Sequence, residues 1–215
     1  MTEKLYYSTV GKPLLSALQK LMKAKEFAPF RMVGGTALSL QIGHRMSIDI
    51  DMFSDSSYGS LDFLVIEKYL RSAFSFVSIS DHVVAGMGKA YMVGSDKMGS
   101  VKLDVYYTDP FIRPALVVDG IRMATVEEII AMKLDIISRE GRKKDFWDLH
   151  ELTQNYSLAQ MLALHKERYP YSHDAKMIKA NFSNFDKADE DIDPECLRGK
   201  YWEVIKLDMM DFVKA

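Results

Sequence analysis

The sequence predicts an α+β fold: a mixed sheet flanked by helices, with a helical part at the C-terminal end. Three observations carry the prediction. Ile48 to Phe53 alternates apolar and acidic residues at the period of a strand. Phe76 to Ile79, Ala90 to Val93 and Val101 to Tyr107 are short runs rich in valine and aromatics, separated by glycine-containing turns. From Thr125 onward, apolar residues recur only at helical spacing. The change of period divides the sequence into an α/β part, residues 1–122, and a helical part, residues 123–215. At 215 residues and 48% hydrophobic, the chain is long and apolar enough to bury a sizeable core.

Each element has its own signal. Pro13 opens an amphipathic helix in which Leu14, Leu18, Leu21 and Met22 share a face. A short extended segment, Phe30 to Val33, runs into Gly34-Gly35, and Thr36 to Ile42 reads as a short helix stopped by Gly43. Ile48 to Phe53 is the alternating strand, with Ile48, Ile50 and Met52 on one face and Asp49 and Asp51 on the other. A polar turn follows, then a helix from Leu61 to Ala73 with Ser60 as its N-cap. After the three short strands, Asp119-Gly120 between "ALVV" and "IRM" marks a two-residue hairpin. Thr125-Val126-Glu127-Glu128 has the spacing of a capping box, and Val126, Ile129, Ile130, Leu134 and Ile137 follow until Gly141. Further helices are expected over Asp145 to Thr153, Ser157 to Glu167, His173 to Ala180 and Lys200 to Lys214, with "DKADEDID" as an acidic connection.

Composition excludes several classes. A formal net charge of −2 gives no global attraction to nucleic acid, so any such binding needs a local basic patch. The single cysteine, Cys196, permits no internal disulfide and no cysteine-based zinc site, which fits a reducing cytoplasm. No export signal and no run of about 20 apolar residues is visible, so a cytoplasmic protein without membrane contact is expected. The 14 methionines are scattered over apolar faces and read as core filling.

The stretch "VGGTALSLQIGHRMSIDIDMF" carries the chemistry. Glycines feeding a helix N-terminus let backbone N–H groups approach phosphate oxygens and add the favourable end of the helix dipole. Asp49 and Asp51 leave the same face of the next strand, where adjacent like charges repel unless a divalent cation lies between them. Hard oxygen ligands suit magnesium, or manganese. A third carboxylate would complete a two-metal phosphoryl-transfer site, and Asp104 in "VKLDVYY" is the candidate, on one face with Lys102. Lys133 lies on the apolar stripe of its helix, an expensive place for an ammonium, and could reach a triphosphate. Arg139, Arg142, Lys143 and Lys144 make the densest basic patch, and Asp145 and Asp148, three apart on one helix face, could orient those cations.

A glycine pair, thirteen residues, Asp-x-Asp and a later strand aspartate together resemble the polymerase-beta-type nucleotidyltransferase superfamily. More narrowly, "GGTALSLQIGHRMSIDIDMF", "KLD" and "KLDIISREGRKKDFWDLHEL" resemble the AbiEii/AbiGii toxin-like nucleotidyltransferases of abortive-infection and toxin–antitoxin systems, over about Arg31 to Leu152. The superfamily often has serine where Gly35 stands; Gly-Gly-Thr is common in the AbiEii-like branch. The resemblance implies a nucleotidyltransferase-type sheet that moves a nucleoside monophosphate from a nucleoside triphosphate to an acceptor hydroxyl, with RNA or tRNA ends among the acceptors. It implies Asp49, Asp51 and Asp104 as catalytic metal ligands for Mg2+ or Mn2+. Gly34, Gly35, Thr36, Lys102, Lys133, Lys144, Asp145 and Asp148 match its nucleotide-binding motifs, Arg45, Ser47 and Arg142 beside them are further candidate nucleotide-binding residues, and a cognate antitoxin becomes a candidate partner. Two rivals stand beside this reading: a catalytically degenerate module of the same fold that binds nucleotide or a protein partner, and a kinase-type phosphotransferase that would release nucleoside diphosphate.

Overall fold

The computed structural model describes residues 4–79 and 86–214. Helix α1 (Lys12–Lys23) carries Pro13 in its first turn and buries Leu14, Ala17, Leu18, Leu21 and Met22. Strand β1 (Arg31–Met32) leads through Val33 into α2 (Gly34–Ile42), whose C-terminus is closed by Gly43 in the left-handed conformation at φ 69°. Strand β2 (Asp49–Ser54) follows. Helix α3 (Phe63–Ala73) precedes β3 (Phe76–Ile79), β4 (Gly88–Gly94), β5 (Ser100–Tyr107) and the hairpin of β6 (Leu116–Val118) and β7 (Ile121–Met123). The remaining elements are α4 (Val126–Ile137), α5 (Lys143–Leu152), α6 (Leu158–Arg168), α7 (Ala175–Asn181), α8 (Asp186–Asp189) and α9 (Trp202–Lys214).

Among the described residues the strands form one seven-stranded mixed sheet in the order β3-β4-β5-β2-β1-β7-β6. β2 is central and runs parallel to β5 and antiparallel to β1, while β1 runs parallel to β7. Asp119 at φ 52° and Gly120 at φ 77° make the turn between β6 and β7, as their sequence predicts. One hydrophobic core holds residues from both sides of residue 122, including Leu38, Ile50 and Leu103 with Ile129, Leu134 and Trp147. α1 and α2 lie against the sheet, and the helices of the C-terminal part pack onto α2 and one another, joining the same core. Trp147 and Trp202 are buried and stack at 6.4 Å between ring centroids, acting as packing residues. Among the described residues, no helix is long and apolar enough to cross a membrane.

The structure differs from the sequence expectations at several ends. α3 begins later than expected and its N-cap is Asp62, not Ser60: the Asp62 carboxylate accepts from Leu64 N and Val65 N, a stronger capping interaction than a hydroxyl makes. Thr125 caps α4 by accepting from Glu128 N, but Glu128 does not close the box. Its carboxylate instead accepts from Ile112 N, Arg113 N and the buried Arg168 guanidinium, an ion pair that outcompetes a neutral backbone amide. Part of the acidic connection is helical, as α8. Ile48 lies before the first residue of β2 and is 75% exposed rather than on the inner face.

Candidate active site

The Gly34-Gly35-Thr36 triplet is fixed by the strand beneath it, one residue at a time. Gly34 opens α2 at φ 68°, and a Cβ there would lie 2.5 Å from Asp51 Oδ2, so only glycine lets that carboxylate close against the helix start. A Cβ on Gly35 would lie 2.1 Å from the Arg45 guanidinium. Thr36 is buried, shares a 2.7 Å hydrogen bond with Ser47 Oγ and donates to the carbonyl of Asp49. Val33 N donates to Asp51 O at 2.9 Å. Together these contacts lock α2 to the acid strand. Thr36 and Ser47, expected among the nucleotide contacts, have their hydroxyls committed to this lock.

The acids themselves are set by register. Parallel pairing of β2 with β5 aligns Asp49 with Lys102 and Asp51 with Asp104. In both strands the alternate residues Ile50, Met52, Leu103 and Val105 are buried, so the polar set leaves the opposite face. Burial, with Asp104 and Asp49 close by, pushes the Asp51 carboxyl up to about 6. Lys102 Nζ lies 2.5 Å from Asp104 Oδ2, and Lys144 Nζ 3.9 Å from Asp49 Oδ2. Burial and the neighbouring Arg142 and Lys133 charges lower the Lys144 ammonium from its usual value.

Whether these residues suit a divalent cation can be judged from the donors. Asp104 Oδ1 is buried without a hydrogen-bond partner, and Asp51 and Asp104 lie side by side across the β2–β5 pair. All-oxygen donors of this kind suit magnesium or manganese. Among the described residues, however, no three histidine, cysteine or carboxylate side chains converge into a ready-made cage. The acids thus fit a cation whose remaining coordination comes from phosphate and water, as magnesium sites commonly do.

Behind the acid strand lies a second charge cluster of a different kind. Asp148 is fully buried and accepts from Arg45 Nε at 2.6 Å, Arg45 Nη2 at 2.9 Å and His44 Nε2 at 2.7 Å, with Lys133 Nζ at 2.7 Å. Asp145, also buried, accepts from Lys133 Nζ at 2.5 Å and from Arg142 N and Nε. Burial alone would raise both carboxyls, but the Lys133 ammonium, with Arg45 at Asp148 and Arg142 at Asp145, holds them low; Asp148 sits well below the usual carboxylate range. The expectation that Lys133 reaches a triphosphate therefore gives way to an internal role, because its side chain is 4% exposed and bound to two carboxylates. Arg45 is buried on Asp148 in the same way. Of the basic patch, Lys144 and Arg142 remain partly exposed and face the cleft, whereas Lys143 is buried with its Nζ 2.8 Å from Asp193 Oδ1.

A cavity of about 610 Å³ opens at the Asp49 end, lined by Ser47, Ile48, Asp49, Arg142 and Lys144 and by the segment from Glu190 to Glu195. Sequence reasoning treated that segment as a plain connection. Its sole cue was an acidic run able to complement the basic one at Arg139 to Lys144; the structure ties it down through Met46 N to Glu195 O and Leu197 N to His44 O.

Solved structures share this arrangement of sheet and helices. JHP933 from Helicobacter pylori is 21% identical, covering 94% of this chain and 87% of that one, with a TM-score of 0.59. MenT4, a nucleotidyltransferase toxin from Mycobacterium tuberculosis H37Rv, is 15% identical over 94% and 83% of the two chains, with a TM-score of 0.53. An uncharacterized protein of Aquifex aeolicus (strain VF5) is 28% identical over 202 residues, 88% of this chain and 89% of its own length. The family model described as nucleotidyl transferase AbiEii toxin, type IV toxin–antitoxin system, matches residues 16–214, and the chain belongs to that family.

Proposed function

We propose that this nucleotidyltransferase-family protein moves a nucleoside monophosphate from a nucleoside triphosphate to an acceptor hydroxyl, at an RNA or tRNA end or on a protein, with a divalent metal. The observation that carries the proposal is the register that sets Asp51 beside Asp104 under the glycine-made start of α2. Asp49 and Asp51 would hold the metal, with Asp104 assisting; when bound, Mg2+ or Mn2+ neutralises phosphate charge and lowers the pKa of the attacking hydroxyl. Lys144 and Arg142 draw the polyphosphate to the Asp49 end by charge, and the α2 N-terminus adds its dipole. Lys102 keeps Asp104 compensated until substrate arrives. The buried Asp145–Lys133–Asp148–Arg45 network positions α5, and with it Lys144, against β2. Such a site lowers the barrier by positioning and electrostatics rather than by covalent chemistry. Membership of a toxin family supports a cognate antitoxin as the partner in the cell.

The test is transfer from each α-labelled nucleoside triphosphate, with magnesium and total bacterial RNA, resolved for RNA and protein. Label on either, with pyrophosphate released, is expected for the wild type and a loss of at least about 1000-fold for Asp51→Asn, since both metal binding and charge balance are removed. Full activity of the variant would remove the mechanism. Release of nucleoside diphosphate would move the protein to kinase-type transfer, and metal-dependent binding without release would leave a non-catalytic binding module.

A further inference from the structure

A separate cavity, about 510 Å³, lies further along β2, where Phe53, Tyr58 and Tyr107 face Met132 and Ile136 of α4. Phe53 follows Asp51 on the same strand face, and two strand residues span about 7 Å, so the cavity begins one nucleoside's length from the proposed metal site. Its aromatic content is partly uncommitted. Tyr58 is 68% exposed and leans on Tyr107 at 5.4 Å between centroids, while Phe53 meets Tyr106 edge-on at 6.0 Å. The apolar Met132 and Ile136 line the same cavity, opposite in chemistry to the charged groups around it.

Charge along the groove is asymmetric. The Asp49 end carries Lys102, Lys144 and Arg142. The aromatic end carries Asp55, Asp109 and Asp135, with one cation, Arg139, already bonded to Asp135. A polyphosphate is repelled from the aromatic end, and a neutral planar group with N–H donors is welcomed there by ring faces and carboxylate acceptors. We propose that this cavity receives a nucleobase, either of the donor nucleoside triphosphate or of the acceptor's terminal nucleotide, with phosphates held at the Asp49 end. The proposal rests on the nucleotidyl-transfer reading and gives that site its orientation.

Equilibrium dialysis of the full chain with magnesium tests it, using the four common nucleoside triphosphates and inorganic tripolyphosphate as the probe that lacks a base. If the donor's base occupies the cavity, at least one nucleoside triphosphate binds about tenfold tighter than tripolyphosphate; Tyr58→Ala abolishes the excess, Tyr58→Phe keeps it, and tripolyphosphate binding does not change. If the acceptor's base occupies it, Tyr58→Ala leaves nucleotide binding alone and raises the acceptor KM about tenfold at constant kcat in the labelled-transfer assay. Tyr58 is exposed enough for both variants to fold, and a thermal melt checks this. Wild-type-like values for Tyr58→Ala in both assays overturn the base pocket while transfer itself stands. Absence of any nucleotide binding by the wild type overturns the transfer reading together with it.

Discussion

Two clusters of charge lie side by side in this protein, and they differ in balance. In the buried cluster, Asp145 and Asp148 meet Lys133 and Arg45, with His44 and Arg142 adding hydrogen bonds, and every carboxylate oxygen is satisfied. On the open face of β2 and β5, Asp49, Asp51 and Asp104 crowd together, Asp51 is pushed up to about 6, and Asp104 Oδ1 has no partner. The carboxylates of the first cluster are fully partnered within the fold, although His44 Nδ1 is not; those of the second leave an oxygen bare. A protein of this size could have paired the open acids as thoroughly as it paired the inner ones. Under the proposed function that deficit marks the binding site, and a bound divalent cation would relieve it.

Breaking the inner cluster is expected to have the largest effect on stability. Asp148→Asn leaves Arg45 and Lys133 buried with one carboxylate between them, which costs about 3–5 kcal/mol. For a chain of this length that lowers Tm by about 10 °C, read by thermal unfolding. A variant that keeps the wild-type Tm but loses nucleotide binding would reverse the comparison, making Asp148 a ligand-contacting group and not an organiser.

The open cluster should respond in the opposite direction. Asp51 has a folded-state value of about 6 against 3.8 in its ordinary state, so the native form holds its proton more tightly than the unfolded one. Stability from this group is fully present below about pH 4, falls as pH rises, and is lost above about pH 6. The loss at neutral pH is on the order of 3 kcal/mol at most, since one pKa unit is about 1.4 kcal/mol. Asp51→Asn should therefore raise the metal-free Tm at pH 7.5 and flatten its slope between pH 4 and 6. Excess Mg2+ should raise the wild-type Tm and leave the variant nearly unmoved. A destabilised Asp51→Asn would mean that the carboxylate is already compensated within the fold.

The two clusters were not equally legible in the sequence. The acid strand was plain because it depends on local period: residues alternate, and alternation alone places Asp49 and Asp51 together, with Lys102 and Asp104 on another strand. The seven strands that the structure describes follow from equally local signals, including Asp119-Gly120 in its left-handed turn. The inner cluster depends on pairings about 100 residues apart in the chain, such as Arg45 with Asp148. No spacing rule announces those. Lys133 on an apolar stripe was a visible anomaly, but the sequence suggested a phosphate as its counter-charge where the fold supplies Asp145 and Asp148. The same lack of long-range information explains Glu128, read as half of a local capping box and found holding Arg168. It also explains Gly35, read as an approach for phosphate, whose missing side chain makes room for Arg45.

Lys102 is where the two kinds of cluster meet, and it supplies the subtlest test. Its ammonium lies 2.5 Å from Asp104 Oδ2 with the side chain 48% exposed, so it supplies the open face with a removable counter-charge. Burial alone would lower this ammonium, but the hydrogen bond to Asp104 and the fields of Asp104, Asp51 and Asp49 raise it, so it stays charged at neutral pH. If the open acids await a divalent ion, Lys102 competes with that ion for Asp104. Lys102→Gln should then tighten Mn2+ binding in the absence of nucleotide by about fivefold, because an exposed pair of this kind is worth at most ~1 kcal/mol. Nucleoside triphosphate binding in saturating metal should weaken by a similar factor, as a positive charge facing the phosphates is lost. Mn2+ titration followed by electron paramagnetic resonance reads the first change, and dialysis the second. Unchanged Mn2+ affinity would mean that Asp104 and Lys102 form a closed pair like those of the inner cluster, and the metal would then rest on Asp49 and Asp51 alone.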